Sequence, residues 1–135
     1  MNVEQAMDKL KSEGYKYTDK RFDMLTLFSD EGRYLAAKDV LESLQVKYDG
    51  MSFDTIYRNL SVFTDLGILE ATELDGEKRF RFSCDTNDHH HHLICLECGK
   101  TKHIHHCPME AAVSEQGFQV TGHKFEVYGY CEQCQ

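Results

Sequence analysis

The chain has 135 residues, room for one ordinary domain or two small ones, and carries 15 Lys+Arg against 23 Asp+Glu, a formal charge of −8. That balance argues against indiscriminate polyanion binding, though a local basic patch can still meet nucleic acid, and no apolar run approaches membrane-spanning length. Six cysteines suggest a disulfide framework, but the polar, helix-patterned start MNVEQAMDKLKSEG is not signal-like; a cytoplasmic location is expected, where paired cysteines serve metals more often than disulfides.

In chain order, residues 2–13 predict a short helix with Val3, Ala6, Met7 and Leu10 at helical spacing and Gly14 as its stop. Thr18 is placed to cap a second helix whose apolar side carries Phe22, Leu25, Leu27 and Phe28. A third helix is expected over 35–48, with Ala37, Val40, Leu41 and Leu44 inward, broken by Asp49-Gly50. Ser52 caps a fourth over 53–66, ended by Gly67. In that helix Phe53, Ile56, Leu60 and Phe63 form the apolar stripe, while Thr55, Tyr57, Arg58 and Asn59 fall to the other side near its start. Strands follow at 68–74 and 78–83, joined by Asp75-Gly76, a two-residue hairpin signal. In the second strand Phe80 and Phe82 alternate with Arg79 and Arg81. Helices followed by a hairpin with a basic edge describe a winged helix; a generic helical domain with a solvated charged face fits the same pattern.

The polar stretch 84–88 reads as a boundary, giving domains 1–84 and 85–135. A strand over 89–95 puts His89, His91 and Leu93 on one face and His90, His92 and Ile94 on the other. A strand over 102–106, a helix from Pro108 capped by Cys107, and strands at 118–120 and 123–130 complete a small α/β unit. The expected class is α+β.

Two Cys-x-x-Cys pairs bracket that unit. Such a pair turns two thiolates to one side, and two pairs close a tetrahedral sulfur shell, so Cys95, Cys98, Cys131 and Cys134 are expected to hold a structural zinc ion. Disulfides or a rubredoxin-like iron site are the alternatives. The four histidines HHHH cannot all serve one ion and point to two sites, one on each face of the strand. Cys84, near His90 in the chain, can add a thiolate. Glu110, His123 and the cluster His103, His105 and His106 are candidates on the other side, the last three equally readable as surface residues. Whether Cys107 binds metal is not fixed by the pattern.

These residues resemble the ferric uptake regulator (Fur) superfamily. The resemblance is carried by GYKYT from Gly14, SFDTIYRNL from Ser52, HHHHLICLECGK from His89 and GHKFEVYG before the last Cys-x-x-Cys. It implies an N-terminal winged helix, a hinge, a C-terminal α/β dimerisation domain with a structural zinc, and homodimers that bind double-stranded operator DNA when a regulatory metal is bound. Within the superfamily the chain looks most like the zinc uptake regulator (Zur) branch. By that resemblance Glu70, Cys84, His90 and His92 form the regulatory zinc site, and His89, His91, Glu110 and His123 a second one. Lys16, Thr55, Tyr57, Arg58 and Asn59 fall on the DNA-reading positions. The expected function is a zinc-responsive repressor of zinc uptake genes; iron-, manganese- or peroxide-responsive regulators are the alternatives within the family. A zinc enzyme is disfavoured because a four-sulfur shell has no open position and no nucleophile–base pair is visible. A zinc buffer would need no recognition helix.

Overall fold

A computed structural model describes residues 1–84, 90–109 and 117–135. The chain divides into two compact units, Met1–Asp85 and Thr86–Gln135. Among the described residues no helix is long and apolar enough to cross a membrane.

In the first unit, helix α1 (Val3–Ser12) starts on a reciprocal cap: the Asn2 side chain accepts from the Gln5 N–H at 2.8 Å and the Gln5 side chain accepts from the Asn2 N–H at 3.0 Å. Helix α2 (Asp19–Glu31) is capped by Thr18, whose hydroxyl accepts the Arg21 N–H at 3.2 Å, and ends at Gly32 with φ 58°. Its buried side is Met24, Leu25 and Phe28; Phe22, expected inside, is 40% exposed and lies beside Tyr17 instead.

The third predicted helix begins two residues too early. Leu35–Ala36 is a short strand, β1, and only Ala37–Gln45 is helical, as α3. Leu35 and Ala36 pair antiparallel with Phe80 and Arg79, and both are buried. A two-residue strand is too short to leave a period, so its apolar residues read as the first turn of the helix behind it. The Asp39 carboxylate accepts the Ala36 N–H at 3.0 Å and so marks the true start.

Helix α4 (Phe53–Asp65) is capped by Ser52, whose hydroxyl accepts the Thr55 N–H at 3.2 Å, and buries Ile56, Leu60 and Phe63. Strands β2 (Leu69–Leu74) and β3 (Glu77–Phe82) form the wing, in a sheet ordered β1-β3-β2. Asp75 and Gly76 have φ of 51° and 78°, both left-handed, the geometry of a type I′ turn whose twist matches the flanking strands. Leu69, Phe80 and Phe82 join the same buried cluster as Phe28, Ile56, Leu60 and Phe63, so wing and α4 share one core. Burying each such side chain stabilises by about 1.5–3 kcal/mol.

A polar clasp ties α2 to the end of α3. Asp23 accepts from the Tyr48 hydroxyl and from Lys47 Nζ, the latter at 3.0 Å. These two donors, Tyr48 first, hold the Asp23 carboxyl below its ordinary value. A depressed carboxylate contributes stability above its unfolded pKa and loses it as pH falls through the folded one. Asp23→Asn is therefore expected to cost about 1 kcal/mol at pH 7 and to flatten the acid limb between about pH 5 and pH 2. Urea melts of parent and variant across that range check it; parallel acid limbs would remove Asp23 from the account.

Among its described residues the second unit forms a three-stranded sheet ordered β5-β4-β6, from β4 (His91–Cys95), β5 (Thr101–Ile104) and β6 (Glu126–Gly129). β5 runs antiparallel and β6 parallel to β4. The expected strand at 118–120 is absent: Phe118 is 78% and Val120 46% exposed, with neither in a ladder. The strand expected over 123–130 shortens to β6. The expected helix from Pro108 falls mostly on residues 110–116, outside the described residues, as do His89 and Glu110.

Candidate metal centres and nucleic-acid face

The four knuckle cysteines come together. Cys95 ends β4, and Cys98 follows in a turn closed by the Gly99 N–H donating to the Cys95 carbonyl at 3.0 Å, with Gly99 at φ 78°. Cys131 and Cys134 form the matching turn, the Cys134 N–H donating to the Cys131 carbonyl at 2.9 Å. All four sulfurs lie within 4.8 Å of one another, and Cys98 and Cys131 Sγ are 3.8 Å apart. A tetrahedral ion with bonds of about 2.3 Å separates its sulfurs by about 3.8 Å, so this donor set fits zinc. Electrostatics agree. Burial opposes ionisation of Cys95, yet N–H groups from Cys98, Cys131 and Glu97 bring its thiol down to about 6. Cys134, hydrogen-bonded to Cys131, is pushed up to about 12. Four sulfurs so crowded cannot all ionise unless a cation sits among them.

The histidines separate by strand face. His90 and His92 stand on one side, ring centroids 4.9 Å apart, and His103 from β5 meets both, at 4.2 and 5.2 Å. One donor nitrogen from each of the three lies within 4.8 Å of the others. His103 is the directly paired neighbour of His92 across the ladder. It therefore joins His90 and His92, not the opposite face where it was expected. His105 lies at the margin, 6.0 Å from the His103 ring, and is exposed, as is His106.

On the opposite face His91 is buried and its Nε2 lies 3.1 Å from His123 Nε2. The third group there is Cys107, whose sulfur is 3.4 Å from each of those nitrogens. Sequence reasoning gave Cys107 a capping role; the available signal was a thiol following three histidines in four residues.

Within the first unit, Glu70 and Cys84 meet at the base of the wing: a Glu70 carboxylate oxygen accepts the Cys84 N–H at 3.5 Å. Arg81, the ladder partner of Glu70, turns inward and donates to Cys84 Sγ at 2.8 Å and to the Phe82 carbonyl at 3.4 Å. It is thus not a wing-edge cation, as the alternating pattern suggested. Arg79 is likewise engaged, with Glu77 at 3.2 Å.

The outer face of α4 presents Tyr57, 52% exposed, stacked on Phe53, and Arg58, bridged to Asp54 one turn earlier. Thr55 is half-buried near the cap. Asn59 is anchored: its side chain donates to the Thr55 carbonyl at 3.1 Å and accepts from Arg21 Nε at 3.1 Å. Arg21 also donates to the Lys16 carbonyl at 2.8 Å and lies over the Tyr15 ring. It fastens the 15–18 segment to α4. A cleft lined by Lys20, Arg21, Thr55, Arg58 and Asn59 results, basic in a chain of net charge −8. Lys20 and Arg21 were missed because an amphipathic pattern does not show which charges of one helix face another.

Comparison with known proteins adds the ancestry. The ferric uptake regulator family model matches residues 12–128. A ferric uptake regulation protein of Staphylococcus epidermidis is 54% identical, with 100% of this chain and 97% of that protein aligned. One from Staphylococcus aureus is also 54% identical, covering 100% and 99%. Among solved structures, the Vibrio cholerae ferric uptake regulator superposes with a TM-score of 0.70 at 28% identity, over 92% of this chain and 98% of that one. The Helicobacter pylori regulator, at 20% identity and TM-score 0.77 over 99% and 94%, shares the fold. With a family match across most of its length and relatives more than half identical end to end, this chain belongs to the ferric uptake regulator family, which is one of transcription regulators and not of enzymes.

Proposed function

We propose that the protein is a zinc-responsive transcriptional repressor that binds double-stranded operator DNA as a metal-loaded homodimer in the cytoplasm and controls zinc uptake genes. Residues 1–84 are the winged-helix DNA-binding domain and residues 85–135 the dimerisation and metal-binding domain. Structural zinc is held by Cys95, Cys98, Cys131 and Cys134. Regulatory zinc is held by Glu70, Cys84, His90 and His92, and a second regulatory site uses His91 and His123 with His89 and Glu110.

The observation that carries zinc is the donor chemistry. Cys84 offers a soft thiolate where Glu70 already reaches its backbone, and His90 and His92 offer imidazoles on one strand face. Thiolate with imidazole suits zinc better than the oxygen-rich sets that favour manganese. Dimerisation is supported by the sheet face on which Leu93 and Val127 are ladder partners, 42% and 38% exposed, with Tyr128 and Tyr130 exposed nearby. DNA binding is supported by the exposed start of α4, where Tyr57 suits a thymine methyl and Arg58 a guanine edge or phosphate, with Thr55, Asn59 and Lys16 flanking them.

Metal bound by groups from both domains restricts the hinge. The operator selects the same arrangement, so zinc and DNA must raise each other's affinity equally.

The staphylococcal relatives carry a ferric name, which favours an iron-responsive regulator as the second reading. Operator affinity measured against buffered free zinc and against iron(II) separates the two. Zinc is expected to promote binding at far lower free concentration. Cys84→Ser is expected to keep the knuckle zinc and the dimer but lose zinc-dependent binding, because a neutral hydroxyl is a poor zinc ligand. An unchanged zinc midpoint for Cys84→Ser, or tighter response to iron(II), sinks the zinc assignment.

A further inference from the structure

We infer that Cys107 is a metal ligand, completing with His91 and His123 a second centre of two imidazoles and one thiolate. The inference rests on the second regulatory site proposed above and changes its chemistry: the resemblance supplied only nitrogen and oxygen donors there.

Three observations carry it. The first is distance. His91 Nε2, His123 Nε2 and Cys107 Sγ form a closed triangle with edges of 3.1, 3.4 and 3.4 Å. An ion bonded at about 2.0–2.1 Å to nitrogen and about 2.3 Å to sulfur, with tetrahedral angles, requires edges of about 3.3 Å between nitrogens and about 3.6 Å from nitrogen to sulfur. The triangle is that figure drawn in by a fifth of an ångström.

The second is donor identity. Both imidazoles contribute the same atom, Nε2, to the triangle, and the Cys107 sulfur is in contact with each of them. A hydrogen-bonded pair needs only two atoms to face each other; three lone-pair bearers in mutual contact are the arrangement a cation uses.

The third is setting. His91 is 7% exposed, with the Phe125 ring edge-on at 5.4 Å, so one wall of the site is apolar. Cys107 and His123 close it from the solvent side. A partly dry pocket strengthens ion–thiolate attraction and slows exchange with water.

The thiol gives up its proton to solvent on binding, and the site becomes softer than a nitrogen–oxygen one. It takes a borderline divalent ion, zinc or cobalt(II), in preference to manganese or magnesium. Both faces of β4 then bear a thiolate-containing centre.

The test uses cobalt(II) as the probe, on full-length protein whose knuckle site is filled with zinc. In the Cys84→Ser background Cys107 is the one thiol outside the knuckles. Titration is expected to produce the near-ultraviolet sulfur-to-cobalt charge-transfer band. Adding Cys107→Ser is expected to abolish the band and weaken cobalt retention by more than about tenfold. His91→Ala and His123→Ala, in the Cys84→Ser background, are expected to remove band and ion together. No band in Cys84→Ser, or a band surviving Cys107→Ser, overturns the ligand assignment. If the histidine variants lose cobalt while Cys107→Ser binds it unchanged, only Cys107 is withdrawn and the second site stands. If none of the three variants alters cobalt binding, the second site falls with it.

Discussion

Cys98→Ser is expected to cost each chain one zinc ion and to unfold residues 86–135 as a body while the winged unit keeps its own melting transition. The asymmetry comes from where apolar surface is buried. The first unit packs Phe28, Ile56, Leu60, Phe63 and more than a dozen other buried residues into one cluster. Among the described residues of the second unit, the buried hydrophobic side chains are Ile94 and Cys95. A sheet of three short strands with so little core does not hold itself together. The four-sulfur site clamps one end of it: Cys95 ends β4, Cys98 lies in the turn toward β5, and the Cys131 N–H donates to Cys95 Sγ at 3.4 Å, drawing in the chain just after β6. Structural zinc sites of this kind supply on the order of 10 kcal/mol. Losing one thiolate removes most of that. Metal content after gel filtration, read beside amide dispersion for β4 to β6, checks the result. A Cys98→Ser protein with undiminished zinc and intact strand signals would mean that the cluster is not a metal site.

Tyr57→Ala and Arg58→Ala are each expected to weaken operator binding by about 1–3 kcal/mol, roughly 5- to 150-fold, with zinc content and melting temperature unchanged. Both side chains stand clear of the core; Arg58 is 74% exposed. Arg58 must leave Asp54 to reach a base, but an exposed i,i+4 pair is worth only about 0.3–0.5 kcal/mol. Tyr57 has no ion pair to break and lies beside the Phe53 ring, centroids 6.2 Å apart. Fluorescence anisotropy at two or more salt concentrations separates base reading from charge: both variants should lose affinity for operator far more than for random duplex. Equal losses on the two DNAs would move the recognition face away from α4.

Much of this was written in the chain's punctuation. Thr18 and Ser52 start helices, Gly14 and Gly67 end them, and Asp75-Gly76 turns the wing, because each of those positions makes a demand that few residue types meet. The two knuckles were legible for the same reason. What escaped notice had no period to show. β1 is too short to alternate. Arg81 and Arg21 look like surface cations until the ladder and the neighbouring helix give them Cys84 and Asn59. His103 and Cys107 are sorted onto opposite faces by the pairing of β5 with β4, a fact of register that spacing along one strand does not contain. The exposed Phe118 and Val120 erred in the other direction: the pattern promised a strand where, among the described residues, no ladder forms.

The wing of this protein is welded rather than hinged. β1 stitches its free edge to the start of α3, and Leu69, Phe80 and Phe82 interlock with Ile56, Leu60 and Phe63 of α4. Glu70 follows Leu69 on β2, half-buried at the margin of that block, and Cys84 is joined to it through Arg81 and the Glu70 carboxylate. An ion held by Glu70 and Cys84, as proposed, would therefore hold a solid body. Close-packed side chains leave no slack to absorb a pull, so under the proposed regulatory site a load on Glu70 and Cys84 would be shared by the whole first unit, α4 included.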